Sequence, residues 1–356
     1  MAAPTPRKLQ GIQALRGVAA LAVVAYHAAR HVSQVAGASA LTMVTQPGHA
    51  GVDLFFVLSG FIILHVHKGD IGHPAAIRRY AWQRFARLMP IYWVALAATA
   101  AMMLPNHGEE VTAARVALSA SLLPTAWDPL LGVAWTLQHE MLFYCAFALL
   151  ILNRALGLTC LALWLGWGIA QAAGVTAGPG IPRLTSLFNL QFLFGMIAAI
   201  AVGAGWMRHG GRIAFAAAAT LLTVGALEAT GRIDGYGDLA RFAYGIPSAL
   251  LVAGLASWEQ AKPRSVPGSL AALGEASYSL YLFHLMGIGI AWQVWSRCGI
   301  DTAAHRLSCF AVLVAGALGL SLAAHYLVEA PLLRRLRGRV RRPRYEANIP
   351  TIALRD

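Results

Sequence analysis

Charge is what this chain has least of. Only 12% of its 356 residues are Asp, Glu, Lys or Arg, about half of what soluble domains carry. So few charges cannot coat a water-facing surface, which excludes a soluble globular protein of this length. Acid is scarcer than base, with 15 Asp and Glu against 28 Lys and Arg. Cysteine is scarce too. Cys145, Cys160, Cys298 and Cys309 form no close pair and no metal-type spacing, so no disulfide framework and no metal site is expected. At least three of them fall in apolar stretches, where a free thiol behaves as a small hydrophobe. No period of 20–50 residues and no low-complexity block is present, which removes solenoid architectures.

What is present is apolar. Hydrophobic residues make up 58% of the chain, and the mean hydropathy is +0.59. Windows of ~20 apolar residues mark membrane spans. Ten are read here: 12–32, 50–67, 84–104, 131–152, 155–173, 184–204, 212–229, 239–258, 270–296 and 305–333. The expected fold is an all-α, polytopic membrane helix bundle over residues 1–335, followed by a basic tail, 336–356. Spans 155–173 and 212–229 are the weakest, being short and rich in Ala and Gly. The longest connector, 105–130, carries Glu109 and Glu110, and its stretch Ala113–Leu123 reads as a surface helix. Short loops leave no room for a separate soluble domain.

The N-terminus imitates a secretory signal, with Arg7, Lys8, an apolar run and Ala38-Ser39-Ala40. That run is as long as a full span and carries Arg16 and His27, so a retained first helix is expected. Loop charge sets the orientation. With the N-terminus inside, the cytoplasmic face holds Arg7, Lys8, Lys68, Arg78, Arg79, Arg154, Arg208, Arg212, Lys262, Arg264 and the tail from Arg334 to Arg344. The outer face holds only scattered Arg30, Arg115, Arg183, Arg232, Arg297 and Arg306, with Glu109 and Glu110. The asymmetry predicts N-in and C-in. The net charge of +13 is thereby topogenic. The tail serves as a stop signal that touches anionic lipid, and no nucleic-acid partner is expected.

Ionisable groups inside a span cost ~3 kcal/mol or more, so they turn toward a protein interior and mark working sites. Arg16 and His27 lie eleven positions apart in the first span, which is ~16 Å of rise with only ~20° of offset. The topology gives the other buried polar residues a depth. Asp53 opens the second span near the level of His27, and Ser59 follows near mid-membrane. Arg84 and Arg87 share one face of the third span. His139 and Glu140 sit midway along the fourth, and His284 midway along the ninth. Glu329, in the tenth, falls at the level of Arg16.

Two layers follow. An inner one holds Arg16, Arg84, Arg87 and Glu329, with the first and tenth helices packed so that Arg16 and Glu329 are in contact or bridged by water or by the phosphate side of a ligand. A deeper one holds His27, Asp53, Glu140 and His284. Clustered guanidiniums suit a phosphate-bearing ligand, although positive-inside anchoring also accounts for Arg84 and Arg87. A buried His beside a carboxylate suits general-base chemistry. Helix capping is the alternative for Asp53, and interhelical hydrogen bonding for Glu140 and His284. His139 points ~100° away from Glu140 and reads as structural.

The segments LRGVAALAVVAYH, GVDLFFVLSGFII, RRYAWQRFARLMPIYW, WTLQHEMLFY, SYSLYLFH and the terminal VEAP resemble, in this order, the acyltransferase 3 family of integral membrane acyltransferases. That family's Arg–ten residues–His spacing matches Arg16 and His27, and its Arg-x-x-Arg motif matches Arg84 and Arg87. In length and opening segments the chain is most similar to the exopolysaccharide-modifying members of the ExoZ type. The resemblance implies a multi-pass protein of a bacterial inner membrane. It would move an acyl group, commonly acetyl, from cytoplasmic acyl-CoA to a hydroxyl of a surface glycan or its lipid-linked precursor. Acyl-CoA is then a co-substrate, and no bound cofactor is implied. The donor would lie against Arg16, Arg84, Arg87, Ser59 and Glu329, with its pantetheine arm threading toward His27. His27 would act as base or as acyl relay beside Asp53, Glu140 and His284. No fused esterase-like domain is visible, so the membrane domain itself would deliver the acyl group. Two other readings remain open at this point: a proton-coupled carrier using the same buried groups, and acyl transfer to an antibiotic, lipid or peptidoglycan. Self-association is left open by the sequence.

Overall fold

The computed structural model describes residues 9–178, 180–261 and 266–337. Arg7, Lys8, Lys262, Arg264 and nearly all of the expected basic tail lie outside the described residues. Every regular element among those described is helical, as lipid requires of backbone that must satisfy its own hydrogen bonds. Ten long helices run in chain order: α1 Gln10–Ala36, α2 Gly51–His67, α3 Ile77–His107, α4 Trp135–Leu152, α5 Arg154–Ala172, α6 Phe188–Gly203, α7 Gly210–Ala229, α8 Asp238–Ala261, α9 Gly268–Arg297 and α10 Arg306–Ala324. The last continues through a π-helical turn, His325–Glu329, into the short helix Ala330–Arg337. Each long helix matches one expected span.

Nine helical segments among the described residues are long and apolar enough to cross a membrane. The remaining long helix, α9, has 30 residues but carries buried Ser277, Tyr278, Ser279, Tyr281 and His284. Its polarity follows from its place. It packs against α1, α10 and α3, so those side chains meet protein rather than lipid.

Small residues let the helix backbones touch, as expected where apolar transfer gives no drive for one helix to leave lipid for another. A Cβ at Gly60 of α2 would stand 2.1 Å from the Phe192 carbonyl oxygen, and one at Gly195 of α6 would stand 2.0 Å from that of Val57. A Cβ at Gly274 of α9 would stand 2.1 Å from the Gln13 carbonyl oxygen of α1. That second contact holds the Arg16 turn against α9. By contrast α5 and α7 are peripheral: Leu163 is 70% and Phe215 79% exposed, as lipid-facing residues are. The 105–130 connector contains the expected short helix, Ala113–Ser121, whose first turn is capped by Thr112 accepting the Arg115 N–H at 3.2 Å.

Candidate active site

A cavity of about 850 Å³, including its open mouth, lies between α1, α2, α3, α4 and α9. Arg16, Arg84, Arg87, Ser59, Glu140 and Tyr144 form its polar wall, and Phe55, Ile62 and Leu88 are among its apolar lining. Three guanidiniums therefore face one carboxylate. Glu140 is already engaged, accepting from Ser59 Oγ at 3.1 Å and from the Tyr144 hydroxyl. Arg87 Nη1 lies 3.5 Å from Glu329 Oε1. Among the described residues, the Arg16 guanidinium donates to Gln13 Oε1 alone, at 3.2 Å. Arg84 rests against the Tyr80 and Tyr144 rings, 5.9 and 5.8 Å from their centroids, and its buried Nε has no hydrogen-bond partner. Among the described residues, neither Arg16 nor Arg84 forms an ion pair with a carboxylate.

The cavity ends against Tyr281 and Thr136, whose hydroxyls are hydrogen-bonded at 2.8 Å. Beyond that wall, the Tyr281 ring lies 5.9 Å from His284, and His284 lies 5.1 Å from His27. The His284 tautomer can be read from its contacts. Its Nδ1 stands 2.7 Å from the Tyr281 carbonyl and 3.2 Å from that of Leu280. Carbonyls only accept, so Nδ1 carries the proton, and in the neutral ring Nε2 presents a lone pair. That Nε2 is buried and has no partner. His27 is half-buried, and its described neighbours are the Tyr26 and His284 rings. The site thus offers a cationic cavity at one end and, past one aromatic wall, two adjacent imidazoles.

Three expected placements change. Asp53 does not reach His27. It is fully buried against Arg241 of α8, with Arg241 Nη1 2.6 and 2.7 Å from its two oxygens and Gln191 Nε2 at 2.8 Å. Arg241 is an ionisable residue inside the expected span 239–258, a signal that the reading of the sequence passes over. Glu140 belongs with the arginines and not with His27, because its face of α4 turns toward Ser59. Of the contact or bridge expected between Arg16 and Glu329, the direct contact is absent: no ion pair joins them among the described residues. Ser279 Oγ and His325 Nδ1 hold Glu329 Oε2 at 2.7 and 2.8 Å, and Arg87 takes its other side. The π-helical turn sets His325 and Glu329 on one face, a rearrangement no hydropathy pattern reveals. The first and tenth helices do pack together. His139, read as structural, hydrogen-bonds Asn189 at 2.8 Å. His107, Glu109 and Glu110 come close enough together to hold a cation, but they are largely exposed, at the opposite end of α3 from the arginines.

The profile of the acyltransferase domain family, acyltransferase 3, matches residues 9–326. The chain belongs to that family. It is similar to the exopolysaccharide production protein ExoZ of Rhizobium meliloti (strain 1021), 32% identical over 312 residues that cover 83% of this chain and 92% of the relative. It is also similar to acyltransferase MdmB of Streptomyces mycarofaciens, 28% identical over an alignment of 387 positions, gaps included, that covers 96% of this chain and 95% of the relative. No solved structure matches it. The chain is therefore an integral, multi-pass membrane acyltransferase, and the cavity and imidazole pair are its candidate active site. Tyr144, Tyr278, Tyr281, Ser279 and His325 escaped the reading of the sequence. SYSLYLFH carried the signal for three of them, since buried tyrosines in a span demand hydrogen-bond partners.

Proposed function

We propose that this acyltransferase uses acyl-CoA, with acetyl as the acyl group, and O-acylates a surface polysaccharide or its lipid-linked precursor. It sits in a bacterial inner membrane with both termini cytoplasmic, as the loop charges favour. The observation that carries the reading is that, among the described residues, Arg16 and Arg84 have no ion-pair partner in a cavity whose Tyr281 wall separates it from His284 and His27. Unpaired guanidiniums at low dielectric favour an anionic ligand, and forked donors suit the phosphates of CoA. Kinship with ExoZ supports a polysaccharide acceptor.

His27 removes the proton from the acceptor hydroxyl, whose oxygen attacks the thioester carbonyl. The new C–O bond forms, the C–S bond breaks, and the proton passes from His27 to the departing sulfur. The Nε2 lone pair of His284 is available to an N–H of His27 and would orient it.

The test is thiol release from acetyl-CoA by the purified protein in nanodiscs, with and without an O-deacylated polysaccharide. Acceptor-dependent release is expected. His27→Ala should abolish transfer while membrane insertion and CoA affinity stay within about twofold, because a base and not a topology signal is lost. Near wild-type transfer by His27→Ala refutes the assignment. Uptake into proteoliposomes without thiol release would establish a carrier instead.

A further inference from the structure

At the end of α1 remote from the arginine cavity, past His27, a second polar cluster is assembled from four parts of the chain. Tyr26 and Arg30 come from α1, and Gln46 and His49 from the turn before α2. Glu228 comes from the end of α7, and Tyr236 from the loop before α8. The Tyr236 hydroxyl lies 2.6 Å from that of Tyr26 and accepts from Gln46 Nε2 at 3.0 Å. His49 stacks on one face of the Tyr236 ring, centroids 4.4 Å apart and planes 19° from parallel. His49 Nε2 is in turn held by Glu228 Oε1 at 2.8 Å, and Tyr244 donates to the other carboxylate oxygen at 2.5 Å.

The loop is fixed as firmly as the ring. The Gly235 carbonyl accepts from Arg241. The Tyr236 N–H donates to Asp234 Oδ1 at 2.8 Å. A Cβ at Gly235 would stand 2.1 Å from the Glu228 carboxyl carbon, so a side chain there would push that carboxylate off His49 and Tyr244. Yet Tyr236 is 56% exposed. A loop tyrosine with one face stacked, its hydroxyl doubly bonded and its backbone clamped has lost its conformational freedom before any ligand arrives. Its remaining face is open.

We propose that this open face of Tyr236 is the seat of the acceptor's sugar ring, an assignment that rests on the glycan acyltransferase reading above. A pyranose offers an apolar C–H face to an aromatic ring and hydroxyls around its rim. Exposed Arg30, three positions after His27 and donating to Tyr26 at 2.8 Å, has further guanidinium N–H groups for those hydroxyls. Tyr26 precedes His27, and their rings lie 4.9 Å apart, so a ring on Tyr236 brings its rim toward the base. The two substrates then enter from opposite ends of the bundle and meet at the imidazole pair.

The experiment is initial-rate kinetics in nanodiscs with acetyl-CoA and the host's own polysaccharide, O-deacylated with mild alkali. Tyr236→Ala should raise KM for the glycan about tenfold, the loss of one ring stack. KM for acetyl-CoA and calorimetric affinity for CoA should stay within about twofold. Tyr236→Trp and Tyr236→Phe, which keep a ring, should hold glycan KM within about threefold. A glycan KM unchanged in Tyr236→Ala overturns the proposal and leaves Tyr236 a membrane-interface aromatic. So does a parallel rise in both KM values. If the wild-type protein acylates no deacylated glycan yet releases thiol with another acceptor, the glycan reading itself has failed, and the seat falls with it.

Discussion

Removing the Asp53 carboxylate should unfold this protein before it alters any chemistry. The pair it makes with Arg241 is almost completely removed from solvent, with side-chain exposures of 0% and 3%. Arg241 spends its donors on both Asp53 oxygens and on the Gly235 carbonyl. Its guanidinium also lies 4.3 Å from the Phe188 ring centroid. Asp53→Ala leaves that cation buried without a counter-charge, which costs about 3–5 kcal/mol. Asp53→Asn keeps an oxygen for Arg241 and Gln191 and loses only the charge-assisted part, about 1.5–3 kcal/mol. Asp53→Asn combined with Arg241→Gln removes both charges and should recover much of the loss, a coupling that a double-mutant cycle measures. The assay is unfolding in mixed micelles of the purified variants, followed by tryptophan fluorescence. Because the pair is buried, raising the salt should change little. Asp53→Ala with wild-type stability and no transfer would refute the reasoning and return Asp53 to the chemistry around His27.

Arg84→Ala and Arg87→Ala should each weaken CoA binding by about 1.5–3 kcal/mol, read by calorimetry, with Lys restoring only part because it lacks the fork. Unchanged affinity in a folded variant removes the arginines from the donor site. Packing makes its own prediction at Gly60 and Gly195. A methyl at either meets a carbonyl oxygen at about 2 Å, so Gly60→Ala or Gly195→Ala should force α2 and α6 apart and cost about 1–3 kcal/mol in the same unfolding assay. Gly166→Ala, where a Cβ meets open space, is the control and should be neutral. Equal stability of all three would deny the close crossing.

The ten helices were legible because lipid imposes one rule on all of them: an apolar run long enough to span. Even α9, too polar for a hydropathy criterion, was visible as a run between Gly268 and Arg297. Depth was legible in the same way, and it brought Arg16, Arg84 and Arg87 to one level and His27 and His284 to another. Azimuth was not. Two residues at one depth can face each other or stand on opposite sides of the bundle, and only helix order decides. Glu140 was placed with His27 and turned toward Ser59. Asp53 was placed with His27 and turned toward Arg241. Tyr236, in the eight-residue connector 230–237, left no hydropathy signal at all, because what fixes it is a chain of contacts from α1, the turn before α2, α7 and α8.

The distribution of charge partners gives the site its logic. A charge kept from water needs a counter-charge or a ligand. Arg241 has Asp53, and Arg87 has Glu329. Each of these pairs is complete within the protein and ties helices together. Arg16 and Arg84 break the pattern. Both reach one cavity, and the carboxylate nearest at hand there, Glu140, is occupied by Ser59 and Tyr144. A fold that compensates its other deep cations could have compensated these two with one more acid. Leaving them open keeps a positive potential inside a low-dielectric cavity, where it acts at full strength on an arriving anion. The imidazoles beyond Tyr281 are the complement. With Nδ1 of His284 tied to carbonyls, the Nε2 of the neutral ring is open to accept a hydrogen bond. Under the proposed function, the arginines would draw in the donor's phosphates, and the imidazoles would take the proton that the acceptor hydroxyl gives up.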